Sequence, residues 1–313
     1  MNNIIIVLVG PTAVGKTYVS IELAKLFNAE IISADSMQIY KGMDIGTAKI
    51  TENEKQGIPH HMIDIINPDE CYSVSDFKYE SEKIIDNIIA ENKMPIIVGG
   101  SGLYVNSLIY DLDFGNTKSD NEVRDYYTNM YHEHGEDILY DKLKEIDPTA
   151  ADKIHKNNVK RVIRALEVHA VTGKKFSDLS TDIRKKGNKY DYILIGLSMD
   201  RKILYERINN RVDKMISDGL IAEVRKLVNK GYGKNLTSMK GIGYKEIIDY
   251  LECNTTLEEA VDILKRNTRR FAKRQFTWFL RDNTVKWFDI SSTKDIDSTV
   301  NDIYKYILET KNK

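Results

Sequence analysis

A chain of 313 residues, 42% hydrophobic and 30% charged, is long enough to bury a substantial core and too apolar to be a disordered tail. Its 46 Lys and Arg nearly balance its 47 Asp and Glu, so any nucleic-acid contact must come from a local basic patch rather than a global field. Cys71 and Cys253 stand far apart without a CxxC, which excludes a disulfide framework and a cysteine zinc site, and no stretch approaches the roughly 20 apolar residues of a membrane span.

The first element in chain order is the apolar run IIIVLV, residues 4 to 9. It lacks a basic flank, is too short for a signal segment, and reads as a buried strand. GPTAVGKT follows at residues 10 to 17 and fits the phosphate-cradling pattern G-x-x-x-x-G-K-[ST] without a mismatch. At average residue frequencies a chance match in such a chain is about one in a hundred, and the strand before it and helical pattern after it lower that further. Gly10, Pro11, Thr12, Ala13, Val14, Gly15, Lys16 and Thr17 are therefore expected to bind phosphate groups. The backbone amides of residues 12 to 17 would face the phosphate oxygens, Lys16 would add charge, and the Thr17 hydroxyl would be a magnesium ligand.

GKTYVSIELAKLF predicts a helix burying Val19, Leu23, Leu26 and Phe27. AEIISA (29 to 34) and MPIIVGG (94 to 100) predict two more strands, with the helical SDFKYESEKIIDNIIAEN between them. Strands alternating with helices imply a parallel sheet wrapped by helices, an α/β fold of the P-loop NTPase type.

A nucleoside triphosphatase of this type would show an acidic magnesium ligand at the end of another apolar strand, but PIIVGG ends in glycines. Asp35 instead follows the second strand, at the edge where open α/β sheets bind ligands. A carboxylate beside a phosphate repels it, unless it takes a proton from an attacking nucleophile; the plain alternative is a turn or helix cap. GGSGLY (99 to 104) allows close backbone approach to a ligand, and Ser101 could donate to a phosphate or bridging oxygen. The adjacent His60 and His61 are poorly placed to share a metal and read as structural.

From about residue 117 to 187 the chain is charged, Tyr-rich and helix-patterned, without a convincing strand. DYILIGLSM (191 to 199) then returns to the sheet, so residues 116 to 189 are expected to be a helical insertion within a core of 1 to 115 and 190 to 313. The rest reads as mostly helical up to a last strand, TVKWFDI, at 284 to 290. KRNTRRFAKRQFTWFLR (265 to 281) holds seven Lys or Arg and no acid. At helical spacing Arg266, Arg270, Lys273, Arg274 and Arg281 share one face, opposite Phe271, Phe276, Trp278 and Phe279. Such an unmixed basic face suits a polyanion. NNVKRVIRALEV (157 to 168) by itself is an ordinary amphipathic helix.

Taken in order, GPTAVGKT, DSMQIYKGMDIGTAK, PHH, VGGSGLY, VKRVIRALEV, KGIGYKE and RRFAKRQFTWF resemble the bacterial tRNA dimethylallyltransferases from about residue 4 to 289. The resemblance implies transfer of a five-carbon allylic group from dimethylallyl diphosphate to the 6-amino nitrogen of the adenosine 3′-adjacent to the anticodon. It makes Asp35 the general base and has Lys16, Arg211, Ser101 and the loop stabilise the leaving diphosphate, with magnesium as cofactor on Thr17. Its tRNA contacts map to Asp35, Ser36, Met37, Gln38, Ser101, Arg124, Lys160, Arg161, Val162, Ile163, Arg164, Lys240, Gly241, Ile242, Gly243, Tyr244 and Lys245, to which Arg270, Lys273 and Arg274 of the basic face are added. Position 101 is Ser where the family usually has Thr, and position 160 is Lys where many relatives have Gln. Eukaryotic members carry a C-terminal zinc finger that this sequence lacks, which implies a bacterial, cytoplasmic enzyme without membrane attachment, expected to be a monomer. An adenylate isopentenyltransferase, a small-molecule P-loop kinase and a non-catalytic RNA-binding protein are the competing readings.

Overall fold

The computed structural model describes residues 4–110, 112, 120–179, 189–291 and 296–311. The chain divides into two compact units, one built from Met1–Ile109 with Asn188–Lys313 and one from Tyr110–Gly187. The expected insertion began a few residues later, at 116. The earlier boundary arises because the last helix of the first segment ends at Ile109.

The first unit opens with β1 (Ile4–Val9), α1 (Lys16–Phe27), β2 (Ala29–Ala34), α2 (Glu52–Lys55), β3 (His60–His61), α3 (Val74–Ala90), β4 (Met94–Gly99) and α4 (Gly102–Ile109). The second unit contains α5 (Asn121–Ile146), α6 (Pro148–Lys153), α7 (Val159–Thr172) and α8 (Phe176–Leu179). The first unit then resumes with β5 (Asp191–Ser198), α9 (Arg201–Ser217), α10 (Leu220–Asn229), a 3-10 turn at Ser238–Lys240, α11 (Tyr244–Leu251), α12 (Leu257–Leu280), β6 (Lys286–Asp289) and α13 (Ile296–Lys311).

The six strands form one all-parallel sheet in the order β3-β2-β4-β1-β5-β6. A sheet covered on both faces demands continuous apolar strands. Ile5, Ile6, Val7, Leu8 and Val9 of β1 are indeed wholly buried, each contributing about 1.5–3 kcal/mol by burial. The close β2–β4 pairing requires Gly99, where a Cβ would stand 2.2 Å from the Ala34 carbonyl oxygen. The short edge strand His60–His61 and the helix after the last strand were not anticipated from the sequence. The His pair hid in a loop because two residues carry no periodicity. The final helix packs Val300, Ile303 and Ile307 into the core around α1.

On α1, Val19 and Leu23 are buried as expected, but Leu26 is 47% exposed, and Ile21 and Ala24 fill the core instead. A second cluster of the same unit gathers Ile39, Met43, Val212, Val224, Leu227, Met239, Tyr244 and Ile247 beneath the 36–49 segment. The other unit has its own core, including Tyr127, Leu139, Leu143, Val162 and Leu166. Its α5 is interrupted at Gly135, whose φ of 80° breaks the helical path.

Candidate active site

The loop between β1 and α1 carries the phosphate-cradling residues at the carboxyl end of the central strand. Ala13 (φ 65°) and Gly15 (φ 107°) adopt left-handed conformations, the kind of alternation that builds an anion-binding nest. Thr12, Ala13, Gly15, Lys16 and Thr17 line a cleft of about 300 Å³ whose other walls are Asp35, Gln38, Thr47, Ala48, Arg207 and Arg211. The Lys16 ammonium donates to the carbonyls of Gly10 and Pro11, at 2.9 Å each. Burial pushes its pKa down to about 8, with Arg211 pushing the same way and the Asp35 carboxylate opposing both. Arg211, on α9, donates to the Thr12 hydroxyl at 3.4 Å, and burial holds its guanidinium below the usual range.

One loop amide is already committed. The Thr12 amide donates to Gln275 Oε1 at 2.8 Å, so it is not available to a phosphate in this arrangement. Gln275 is buried on α12 and packs so close to Gly100 that a Cβ there would lie 2.1 Å from its Nε2. In the sequence Gln275 is one polar residue within an aromatic motif and is not among the expected site residues. Its spacing of four residues from both Phe271 and Phe279 was the signal that it faces inward. Arg207, one turn before Arg211, is likewise not among them.

Asp35 lies just past β2, where its Oδ1 accepts from the Met37 amide at 2.9 Å. This turn-forming bond matches the plain alternative, yet the carboxylate also lines both the outer cleft and an inner cavity of about 100 Å³. The inner cavity continues past Ser33, Ile50, His60, Val98, Phe271 and Gln275. Ser101, between β4 and α4, accepts from the Ser36 amide at 3.1 Å and donates to the Ser36 hydroxyl at 3.3 Å. Its hydroxyl thus braces the residue after Asp35. Gln38 accepts from the Ser33 hydroxyl at 3.0 Å and directs its amide nitrogen to the carbonyls of Thr47 and Ala48. His60 Nδ1 donates to the Ile58 carbonyl, and His61 pairs with Glu30, so both histidines have structural partners.

The residues expected at a nucleic-acid surface separate into two groups. Lys160, Arg161, Lys240, Lys245, Arg270, Lys273 and Arg274 are exposed. Val162, Ile163 and Tyr244 are core residues whose side chains are closed to contact, since the apolar faces of α7 and α11 must be buried somewhere. Gly243 is buried beside Tyr244, and Gly241 packs against Met37, where a Cβ would meet its methyl at 2.5 Å. Gly241 and Ile242 are half-buried. In the second unit Arg124 and Arg164 both bind the fully buried Glu167 carboxylate at 3.0 Å, so part of each guanidinium serves the fold. On α12 the basic face is exposed as expected, but Trp278 is 38% exposed rather than buried with Phe279. The buried stripe runs instead through Ala260, Leu264, Ala272, Gln275 and Phe279. Trp278 lies against Gly102 at the start of α4.

Residues 38–282 match the family model described as IPP transferase. The chain belongs to this family. Among IPP transferases, the tRNA dimethylallyltransferase of Alkaliphilus oremlandii is 54% identical over 305 residues, covering 97% of each chain. That of Clostridioides difficile is 52% identical over 306 residues, covering 98% of each. The crystal structure of the full-length tRNA isopentenylpyrophosphate transferase from Bacillus halodurans matches with a TM-score of 0.74 at 46% identity, covering 98% of this chain and 96% of that one. Crystallographic snapshots of a eukaryotic dimethylallyltransferase acting on tRNA match with a TM-score of 0.81 at 30% identity, covering 96% of this chain and 77% of that one.

Proposed function

We infer that this IPP transferase moves the dimethylallyl group of dimethylallyl diphosphate onto the 6-amino nitrogen of the adenosine 3′-adjacent to the anticodon of tRNA, releasing diphosphate. The observation that carries the reading is one cleft in which a phosphate loop, two arginines and the Asp35 carboxylate meet. Asp35 stands where it can take a proton from an incoming nucleophile, and a reaction that expels diphosphate whole needs both an anion cradle and a base.

The diphosphate occupies the loop, held by Lys16, Arg211 and the amides that Gln275 leaves open. The adenine amine is a weak nucleophile because its lone pair is delocalised into the ring. As it bonds to the allylic carbon, the carbon–oxygen bond to diphosphate breaks, and Asp35 takes the amine proton. Negative charge growing on the leaving oxygens is met by fixed cations and amides that need no reorganisation. Ser101 supports this step through Ser36, by holding the backbone beside the base.

No group of three or more His, Cys, Asp or Glu that could hold a metal stands among the described residues. Thr17 lines the cleft, and its hydroxyl, together with substrate oxygens and water, would hold a magnesium ion, which keeps several waters and favours phosphates. Bound there, it would supply charge neutralisation for the diphosphate.

The target adenine has to leave its stack to reach Asp35, which a single-stranded anticodon loop permits at low cost. Asp35, Ser36, Met37 and Gln38 line its path. Lys160 and Arg161 of the second unit, with Lys240, Lys245, Arg270, Lys273 and Arg274 of the first, supply cations for the tRNA backbone. No described helix is long and apolar enough to cross a membrane. We assign the enzyme to the cytoplasm as a monomer.

Incubating the protein with radiolabelled dimethylallyl diphosphate, magnesium and either unmodified tRNA or AMP tests the reading. Label in tRNA alone is expected. Label in AMP would make the protein an adenylate prenyltransferase, and label in neither would overturn prenyl transfer altogether.

A further inference from the structure

Glu223, on α10, does not line the cleft, yet its carboxylate gathers four donors. Oε2 accepts from the amides of Asp44 (3.0 Å) and Ile45 (2.8 Å), and Oε1 from the amide of Gly46 (3.1 Å) and the Tyr244 hydroxyl (2.6 Å). Three successive backbone amides converging on one anion is the geometry that elsewhere holds a phosphate. Here an internal carboxylate fills it. Tyr244 has no exposed surface, and its ring lies so close to Gly46 that a Cβ there would stand 2.5 Å away.

The anchored residues run directly into Thr47 and Ala48, which form part of the cleft wall, Ala48 reaching the inner cavity as well. The far end of this segment is held too. The Lys49 side chain, only 5% exposed, donates to the Tyr40 carbonyl and binds Asp44 and Asp64. The wall is thus suspended between two attachments, one at Glu223 and one at Lys49, and Gln38 reaches its carbonyls from the Asp35 side.

We propose that Glu223 is a positioning residue that holds this wall closed against water while the allylic group is transferred. The proposal rests on the prenyl-transfer reading above. In productive turnover the carbon–oxygen bond breaks, diphosphate leaves with the electron pair, and the carbon accepts a pair from the adenine nitrogen as Asp35 takes the proton. If water reaches the same carbon, its oxygen forms the new bond, a proton is lost from that water, and dimethylallyl alcohol replaces modified tRNA. Wall position therefore sets the partition between transfer and hydrolysis. A purely stabilising Glu223 would lower thermal stability and total activity without moving that ratio.

The test measures diphosphate release and label incorporated into tRNA in parallel, on the full chain, for the wild type, Glu223→Gln and Gly46→Ala. Gln keeps one acceptor oxygen for donors that now occupy two, and Ala at position 46 pushes on the Tyr244 ring and so disturbs the same anchor while the Glu223 side chain is kept. In both variants the ratio of diphosphate released to label transferred is expected to rise by about tenfold or more, since displacements of about 1 Å at a reacting site can cost a hundredfold. A ratio equal to that of the wild type, whatever the fall in rate, overturns the proposal. If Glu223→Gln does not fold, Gly46→Ala and Tyr244→Phe carry the same comparison, with a smaller rise expected for Phe. A wild-type protein that puts no label into tRNA refutes the proposed function instead and is recognised before any variant is made.

Discussion

Two carboxylates in the two units show how differently one functional group can be used. Glu167 of the second unit has no exposed surface and accepts from Arg124, Arg164 and the Asp120 amide. Its acceptor capacity is spent, and the two guanidiniums it holds are oriented by it. Asp35 of the first unit is half-buried, accepts from the Met37 amide, and turns toward a cleft shared with Lys16 and Arg211. A carboxylate whose lone pairs are all taken builds a fold, whereas one that keeps lone pairs toward a ligand cleft can act on what binds there.

That contrast breaks most readily at Asp35. Asp35→Ala is expected to lower kcat by about 10²–10⁴ while tRNA affinity is retained, because a general base contributes about that much. Loss of tRNA binding in a filter assay would make Asp35 a contact rather than a base. Next in size, Lys16→Ala should reduce kcat/KM for dimethylallyl diphosphate by about 10²–10³, the usual cost of removing one fixed donor to developing charge. An unchanged value would mean that the Arg211 side of the cleft suffices.

At Glu167 the effect should fall on stability instead. Glu167→Leu is expected to cost about 2–3 kcal/mol, below the usual range for a broken buried pair because Arg124 and Arg164 are partly hydrated. A thermal melt reads this, and kcat per folded molecule should hardly change.

Lys16 adds a pH dependence. Its pKa of about 8 is depressed, so the empty site loses its charge as pH rises through 8, and a bound diphosphate draws the proton back. Affinity for inorganic diphosphate, measured by calorimetry, should be steady below pH 8 and then weaken by up to about tenfold per unit. For stability the sign is opposite. Between 8 and 10.5 the unfolded lysine binds more protons, so the cost that this buried charge imposes on folding is relieved as pH rises through that window. The smallest expected effect is at the surface, where Lys160→Ala should reduce the slope of log affinity for tRNA against log salt by about one.

Much of the site was readable because it is written in consecutive residues. The loop from Gly10 to Thr17 follows a strand of unbroken apolar residues, and Asp35 follows another, so the rule about strand ends places them together from sequence alone. What escaped were contacts made across long separations. Gln275 reaches Thr12 over 263 positions, and Glu223 reaches Gly46 over 177. Helical spacing marks Gln275 as inward-facing, but nothing local names the partner it meets. A motif marks a whole run of residues, but helical periodicity sends the side chains of Val162, Ile163 and Tyr244 inward and leaves Lys160 and Lys245 outside.

The sheet order carries a consequence for the chain during its synthesis. β1 pairs with β4, which is complete by Gly99, and with β5, which begins only at Asp191. At the usual rates of about 5–20 residues per second, the flank of the central strand waits about 5–20 s for its second neighbour. Meanwhile the contiguous stretch Tyr110–Gly187, which holds a core of its own in the finished structure, is being synthesised. A half-built sheet with an open apolar strand is the kind of surface that nascent-chain chaperones bind, and slowing translation over 110–187 would lengthen its exposure.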